Sequence, residues 1–357
     1  MDATARLLKR LVETDGISGF EHEVGAIIRE ELKGIGEIRT DQLGSIICEL
    51  KGSSASPRVM IVGHTDEIGF IVQEVTEEGY IKFLPIGGWK PQNLAGRKVR
   101  ISTRKGPVVG VIGFEDPWDA DEKDWNKSPD LKKLYIDVGV SAGFDVKKDL
   151  DIRPGDPITP ASKFEVMSNP KMYVAKAWDD RIGVAVMIEA MKHLAKRKHP
   201  NIVFGVGSAQ EEVGLRGAKT SGAEVRPDVA FAVDICGAFD TPDWGKGHLE
   251  KAGSGVGLMV HGGALFLNPR LRDFMIDLAE KKKIKHFVGT IPRGGTDAGR
   301  IQIGGTGVLA MYIGIATRYG HTHNSIIHRG DFDAAVKLMV EACLALDQKT
   351  LEQLKAF

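Results

Sequence analysis

Residues 58–67 read RVMIVGHTDE, and the two halves of that stretch carry different information. Val59 to Val62 form an uninterrupted apolar run, as expected of a strand covered on both faces of a sheet. Gly63 ends the run, and His64, Asp66 and Glu67 follow at once. A covered strand that delivers an imidazole and carboxylates at its carboxyl end fits an open α/β sheet with a site along one edge.

The same arrangement recurs outward along the chain. AWDDR (177–181) comes at the end of KMYVAKA, and AQEEVG (209–214) just after NIVFGVG. AVDI (232–235) closes DVAFAVDI, and RYGHTH (318–323) comes just after GVLAMYIGI. Each segment alone has an ordinary explanation. Asp179 and Asp180 suit the N-cap and first turn of the helix that RIGVAVMIEAMKHLAKR predicts. Glu211 and Glu212 suit a solvated loop. Gathered at one sheet edge, the segments instead supply the histidines and carboxylates of a divalent metal site.

The donor set exceeds what a single catalytic zinc takes, which is three protein ligands and an open position. If Asp179 is shared, His64 and Asp234 complete one set, and Glu212 and His321 the other. Two metals about 3.5–4 Å apart can activate one water and polarise a carbonyl. Glu211, beside a ligand in sequence, is then the natural base for that water. RYGHTH also contains His323, so the residues alone offer two imidazoles there. GGTDA (294–298) reads as a tight turn capped by Thr296 or Asp297, and His328 as a surface residue before the last helix. Rival signatures fail. In GVGSAQ, Gln210 stands where a dinucleotide loop needs its third glycine. Neither GxSxG nor HExxH occurs.

Between these segments the rhythm changes. Two amphipathic helices open the chain, with apolar faces at Leu7, Leu8, Leu11, Val12 and at Val24, Ile27, Ile28, Leu32. SIICEL (45–50) is a strand. After Gly69 come GFIVQEV, GYIKFL, RKVRIST, GPVVGVIGF and LYIDVG, short strands punctuated by Gly and Pro. A polar, Trp-bearing loop (115–130) interrupts them and reads as exposed. The economical organisation is one α/β domain, 1–69 with 164–357, split by a β-rich insertion at 70–163. Beyond it, NPRLRDFMIDLAEKKK and DFDAAVKLMVEACLALDQ predict further helices, the second closing the chain.

Lys plus Arg and Asp plus Glu both number 48, so the chain lacks the basic excess that nucleic-acid binders use. Three widely spaced cysteines without a CxxC pair argue against a disulfide framework or zinc ribbon and for a reducing compartment. No apolar run approaches the ~18 residues of a membrane span. With no signal-peptide core in the first residues, the expected location is the cytoplasm.

In their order along the chain, GHTDE, WDDR, the Glu211–Glu212 pair, VD (233–234), GGTDA and RYGHT resemble the co-catalytic metallo-aminopeptidases of the tetrahedral (TET) family. These are relatives of the glutamyl and deblocking aminopeptidases. LYIDVG and the β-rich insertion extend the likeness to nearly the whole chain. The resemblance implies a mixed-sheet, phosphorylase/hydrolase-like catalytic domain and an inserted PDZ-like domain used for dimerisation. It also implies a hollow homododecamer built from dimers. By motif it implies His64, Asp179, Glu212, Asp234 and His321 as ligands of two divalent ions, zinc foremost, with cobalt or manganese admissible. Glu211 becomes the base, and Asp66 and Asp180 orient the ligands beside them. The implied substrates are peptides with a free N-terminus. The alternative on the same dinuclear site is an N-acyl amino acid deacylase or another exopeptidase.

Overall fold

Hydrophobic spacing sets the first elements. In the computed structural model, which describes residues 1–114, 128–291 and 294–355, α1 (Ala3–Glu13) starts where the Asp2 side chain accepts from the Ala5 N–H. Its Leu7, Leu8, Leu11 and Val12 are buried, as are Val24, Ile27 and Ile28 of α2 (His22–Glu31). Then come β1 (Glu37–Thr40), β2 (Ile46–Lys51) and β3 (Arg58–His64), so His64 is the last residue of its strand. Most of the loop read at 115–130 lies outside the described residues.

The insertion folds on its own strands: β4 (Gly69–Val75), β5 (Ile81–Ile86), β6 (Lys98–Thr103), β7 (Gly106–Gly113), β8 (Tyr135–Asp137) and β9 (Pro157–Pro160). They close as an antiparallel barrel in the order β4-β5-β8-β7-β6-β9, with the short helix α3 (Val146–Leu150) alongside. Alternate residues point inward, so Phe70, Val72, Val99, Ile101, Ile112 and Ile158 form a core separate from that of the α/β part.

The remaining elements are β10 (Glu165–Val166), β11 (Met172–Ala175), α4 (Trp178–Leu194), β12 (Ile202–Ser208), α5 (Arg216–Val225), β13 (Val229–Gly237) and β14 (Val256–Gly262). After them come β15 (Leu265–Phe266), α6 (Pro269–Lys281), β16 (His286–Ile291), α7 (Asp297–Gln302), β17 (Leu309–Thr317), β18 (Ser325–His328), α8 (Arg329–Ala345) and α9 (Gln348–Lys355). The central sheet runs β1-β2-β12-β3-β13-β17-β14-β15, with β16 paired to β14. It is mixed: β12, β3, β13 and β17 are parallel neighbours, while β2 and β14 flank them antiparallel. The parallel register aligns their carboxyl ends, setting Ser208 beside His64.

Both faces of the sheet are covered, which is why its strands read as continuous apolar runs. Val59 and Ile61 of β3 bury with α1, α4 and α8, while Met60 and Val62 bury with α5 and α7. Three features depart from the sequence reading. β11 leaves the central sheet and pairs with β10 and β18 in a small sheet of its own, because apolarity reports burial and not which sheet a strand joins. The chain does not close with α8: α9 follows, burying Leu351 and Leu354. His328 caps α8, its ring accepting from the Gly330 N–H. Among the described residues no helix is long and apolar enough to cross a membrane.

Candidate metal centre

The carboxyl ends of β3, β12 and β17, the body of β13 and the start of α4 converge. At the α4 end, Ala177 has a left-handed backbone (φ 54°), and Asp179 and Asp180 are not yet helical. Two glycines let this segment reach the sheet. A Cβ on Gly63 would lie 2.5 Å from the Gly183 carbonyl carbon, and one on Gly183 would lie 2.4 Å from the Val233 oxygen. The close approach lets Asp180 accept from the His64 N–H (3.0 Å) and, on its other oxygen, from the Gly183 N–H (2.9 Å). Asp180 thus ties the end of β3 to the first turn of α4, uniting the helix-cap and site readings of that residue.

Asp179 lies between two imidazoles. Its Oδ1 is 2.9 Å from His64 Nε2 and its Oδ2 is 3.0 Å from His321 Nε2. Each ring is held from behind through Nδ1, His64 by the Asp66 carbonyl (3.1 Å) and His321 by the Gly88 carbonyl (2.8 Å). Glu212 Oε1 is 3.6 Å from His321 Nε2, and Glu211 Oε2 is 3.9 Å from His64 Nε2. Asp234 lies within β13, paired with Gly314 of β17.

Asp66 organises the loop after β12. Its Oδ1 accepts from the Glu211 N–H (2.9 Å), and its Oδ2 accepts from the Glu212 N–H (3.1 Å) and from Ser18 Oγ (2.6 Å). Gln210, φ 58°, makes the sharp turn, and its N–H donates to Glu21. Non-glycine residues with positive φ also include Leu215, Tyr319 and His321, so left-handed backbone gathers around this site.

The electrostatics are those of a carboxylate cluster with too little positive charge. Burial pushes Asp180, Glu211 and Asp234 well above the ordinary carboxylate range, and neighbouring carboxylates add to the effect. Glu212 is raised to about 7 by burial and by Asp179, and Asp297 to about 6, chiefly by burial. Burial opposes charge on the histidines, yet Glu211, Asp179 and Asp66 raise His64 well above its usual value. For His321 burial is likewise outweighed, by Asp179, Glu212 and the Gly88 carbonyl, which raise it to about 10. Asp66 and Asp179 are the exceptions: burial notwithstanding, hydrogen bonds from His64, Ser18 and the Glu211 N–H hold Asp66 low, and those from His321 and His64 hold Asp179 below the ordinary carboxylate range.

A divalent cation fits this donor set. Three groups have ligand atoms within 4.8 Å of one another: His64, Asp180 and Asp234; His64, Glu211 and Glu212; Asp179, Glu212 and His321. Glu212 Oε1 is buried and accepts no hydrogen bond among the described residues. Such an orphan acceptor is costly unless something positive sits beside it. Asp180 is the weaker ligand candidate in the first group because backbone N–H groups already occupy both its oxygens.

The structure brings His64, Asp66, Asp179, Asp180, Glu211, Glu212, Asp234 and His321 into one place. It sets His323 apart, buried against Trp89 with ring centroids 5.4 Å apart. Several neighbours escaped sequence reasoning. Glu67 accepts from Lys176 Nζ (2.5 Å), and Arg181 donates to the Leu11, Thr14 and Gly16 carbonyls; Glu67, Lys176 and Arg181 are themselves buried. Asp297 of GGTDA bonds Ser208 at the end of β12. The outer residues of HTDE and WDDR therefore lock the 11–18 segment beneath the site.

The profile of the M42 glutamyl aminopeptidase family matches residues 44–338, a span that holds every residue of this centre. The chain belongs to the M42 family. Its members are metallopeptidases, and this chain is an M42 aminopeptidase. It is 34% identical to the lysyl aminopeptidase of Pyrococcus furiosus over 336 residues, 93% of this chain and 94% of that one. The TET aminopeptidase from the marine sediment archaeon Thaumarchaeota archaeon SCGC AB-539-E09 superposes with a TM-score of 0.94. It is 36% identical, and the match covers 99% of this chain and 100% of the other. The Pyrococcus horikoshii TET1 peptidase, which can assemble into a tetrahedron or a large octahedral shell, superposes with a TM-score of 0.86. It is 30% identical, with coverage of 96% and 100%. The M42/TET kinship matches the architecture found here, a mixed sheet with an inserted small antiparallel barrel.

Proposed function

We propose that this M42 aminopeptidase removes N-terminal residues from peptides at a dinuclear site. Asp179 would be shared, His64 and Asp234 would hold one metal, and Glu212 and His321 would hold the other. The observation that carries this reading is the Asp179 carboxylate, which turns one oxygen to each of two imidazoles. Divalent ions bound there would lower the pKa of a water and polarise the scissile carbonyl. Zinc suits the mixed imidazole and carboxylate set, and cobalt or manganese are admissible.

Glu211 would take the proton from the attacking water and return it to the leaving amine. Its carboxyl is buried and, unlike those of Asp179 and Asp66, is not clasped by a close hydrogen bond among the described residues. Asp66 would hold Glu211 and Glu212 through their N–H groups, and Asp180 would hold His64 through its own. Carboxylates remaining in the pocket would receive the substrate ammonium and so place the first carbonyl over the reacting water.

The 70–163 insertion is proposed as the dimerisation domain, set in a catalytic domain of 1–69 and 164–357. Val109 and Val111, exposed side by side on β7, offer an apolar strip for a second copy. A dimer on each edge of a tetrahedron gives a dodecamer, in keeping with the P. horikoshii relative. The buried cysteines, unpaired among the described residues, agree with a cytoplasmic location.

The test is a timed digest followed by mass spectrometry, using chelator-stripped protein before and after zinc or cobalt is restored. The expected result is a ladder descending from the N-terminus, only with metal, and little cleavage of the same peptide acetylated at its N-terminus. Release of the acetyl group would favour the deacylase, and internal or C-terminal cuts would defeat the aminopeptidase assignment.

A further inference from the structure

The two histidines beside Asp179 are held very differently. His64 is 2% exposed and packed at the end of β3, whereas the His321 side chain is 41% exposed on a loop. Burial leaves the His64 ring little freedom. The His321 ring is oriented by its polar contacts: Nε2 lies 3.0 Å from Asp179 Oδ2, and on the opposite side Nδ1–H donates to the Gly88 carbonyl 233 residues away in sequence. Gly88 follows β5 and belongs to the inserted barrel segment, not to the α/β part.

The barrel segment is built to come this close. Gly87 has φ +78°, and a Cβ there would lie 2.4 Å from Ile68 Cγ2 and 3.0 Å from Glu212 Oε2. A Cβ on Gly88 would lie 3.1 Å from His321 Nδ1. The next residue fixes the segment: Trp89 stacks on Phe70 (centroids 4.8 Å apart) and donates its Nε1–H to the Gly69 carbonyl (2.9 Å). An ion-pair chain pins the barrel to the catalytic part. It runs from Arg100 of β6 to Asp15 (3.1 Å), Lys176 (3.1 Å from Asp15) and Glu67 (2.5 Å from Lys176).

We propose that Gly88 is a positioning residue for the metal centre: its carbonyl holds His321 Nδ1–H and so aims Nε2 at the Asp179 and Glu212 side. The inserted barrel then completes one of the two metal positions, in addition to any role in assembly. Because the His64 ring is held through Nδ1 by the Asp66 carbonyl, the other position does not depend on the Gly88 carbonyl. This inference rests on the dinuclear reading above.

A backbone acceptor is weakened without any clash by making the following amide an ester. Trp89 in the full chain is replaced by its α-hydroxy acid analogue through nonsense suppression. Zinc affinity of each position is then measured by competition with a chromogenic chelator. The expected result is loss of about tenfold affinity at one position only, within the range typical of groups that orient metal ligands. The ester placed in a His321→Ala background should cause no further loss, since the two changes act through one ring. Gly88→Ala, which crowds Nδ1 instead, should weaken the same position. Unchanged affinities in the ester variant, or equal weakening of both positions, would overturn the role of Gly88. A wild-type chain that takes up no metal would instead refute the metal reading itself.

Discussion

Replacing Asp66 with Asn tests whether the site is held from beneath, as its geometry implies. Asp66 is 0% exposed and only accepts: from the N–H groups of Glu211 and Glu212, from Ser18 Oγ, and with His64 Nδ1 3.3 Å from Oδ1. An Asn amide has one acceptor oxygen and one NH₂ donor. Whichever way it flips, the N–H of Glu211 or Glu212 then faces a donor. Losing one hydrogen bond to a charged acceptor costs about 1.5–3 kcal/mol, and the stranded buried N–H adds about 1–3 kcal/mol. The sum, roughly 2.5–6 kcal/mol, is a large part of the ~5–15 kcal/mol that stabilises a domain. The loop can relieve it only by moving, which displaces both glutamates. Asp66→Asn should therefore unfold at clearly lower urea, and its zinc affinity and kcat/KM should each fall at least ~10-fold. Stability within ~1 kcal/mol of wild type together with normal metal content and turnover would refute the reasoning.

Other perturbations separate the remaining roles. Glu211→Gln should retain both metals, measured by plasma emission, while kcat drops about 10²–10⁴-fold, since only the proton carrier is lost. Loss of a metal would move Glu211 into the ligand set, where its proximity to His64 and Glu212 makes it the nearest competitor. His321→Ala should lower metal occupancy and His323→Ala should leave it intact, because only the first ring faces Asp179; the reverse result would contradict the placement. Chelator-stripped protein should lose stability as pH rises. Glu212 (ordinary value 4.5, raised to about 7) and His321 (6.5, raised to about 10) both bind protons more tightly folded than unfolded. Their contribution is fully present below the unfolded values and is lost as pH climbs through about 7 and then about 10. Metal affinity should rise over the same range because uptake expels protons, and a zinc midpoint shift that shrinks with pH would oppose this.

The legible part of the site was the part attached to buried strands. His64, Glu211, Glu212, Asp234 and His321 each stand within or just after a run of apolar residues, and a covered strand announces where its carboxyl end emerges. Asp179 and Asp180 likewise come at the end of the apolar run KMYVAKA, and they also precede an apolar helix that a cap suits. What could not be read depends on distant partners. Lys176, Arg181 and Glu67 look like charges at the ends of apolar runs, and only the fold turns them into a buried network. The helices α5 and α7 pack through small residues such as Gly217, Ala218 and Ala298, which leave little apolar periodicity. Gly88 acts through a backbone carbonyl, which every residue type carries, so no pattern of side chains marks it.

The proposed dinuclear site stands or falls with one carboxylate, Asp179, shared by two metals. Anomalous diffraction at the zinc edge from crystals of the zinc-loaded protein tests it directly. A shared Asp179 requires two peaks about 3.5–4 Å apart on either side of its carboxylate. One should lie against His64 and Asp234, the other against Glu212 and His321. A single peak, or a pair bridged by Asp180 or Glu211 with Asp179 left unbound, would contradict it.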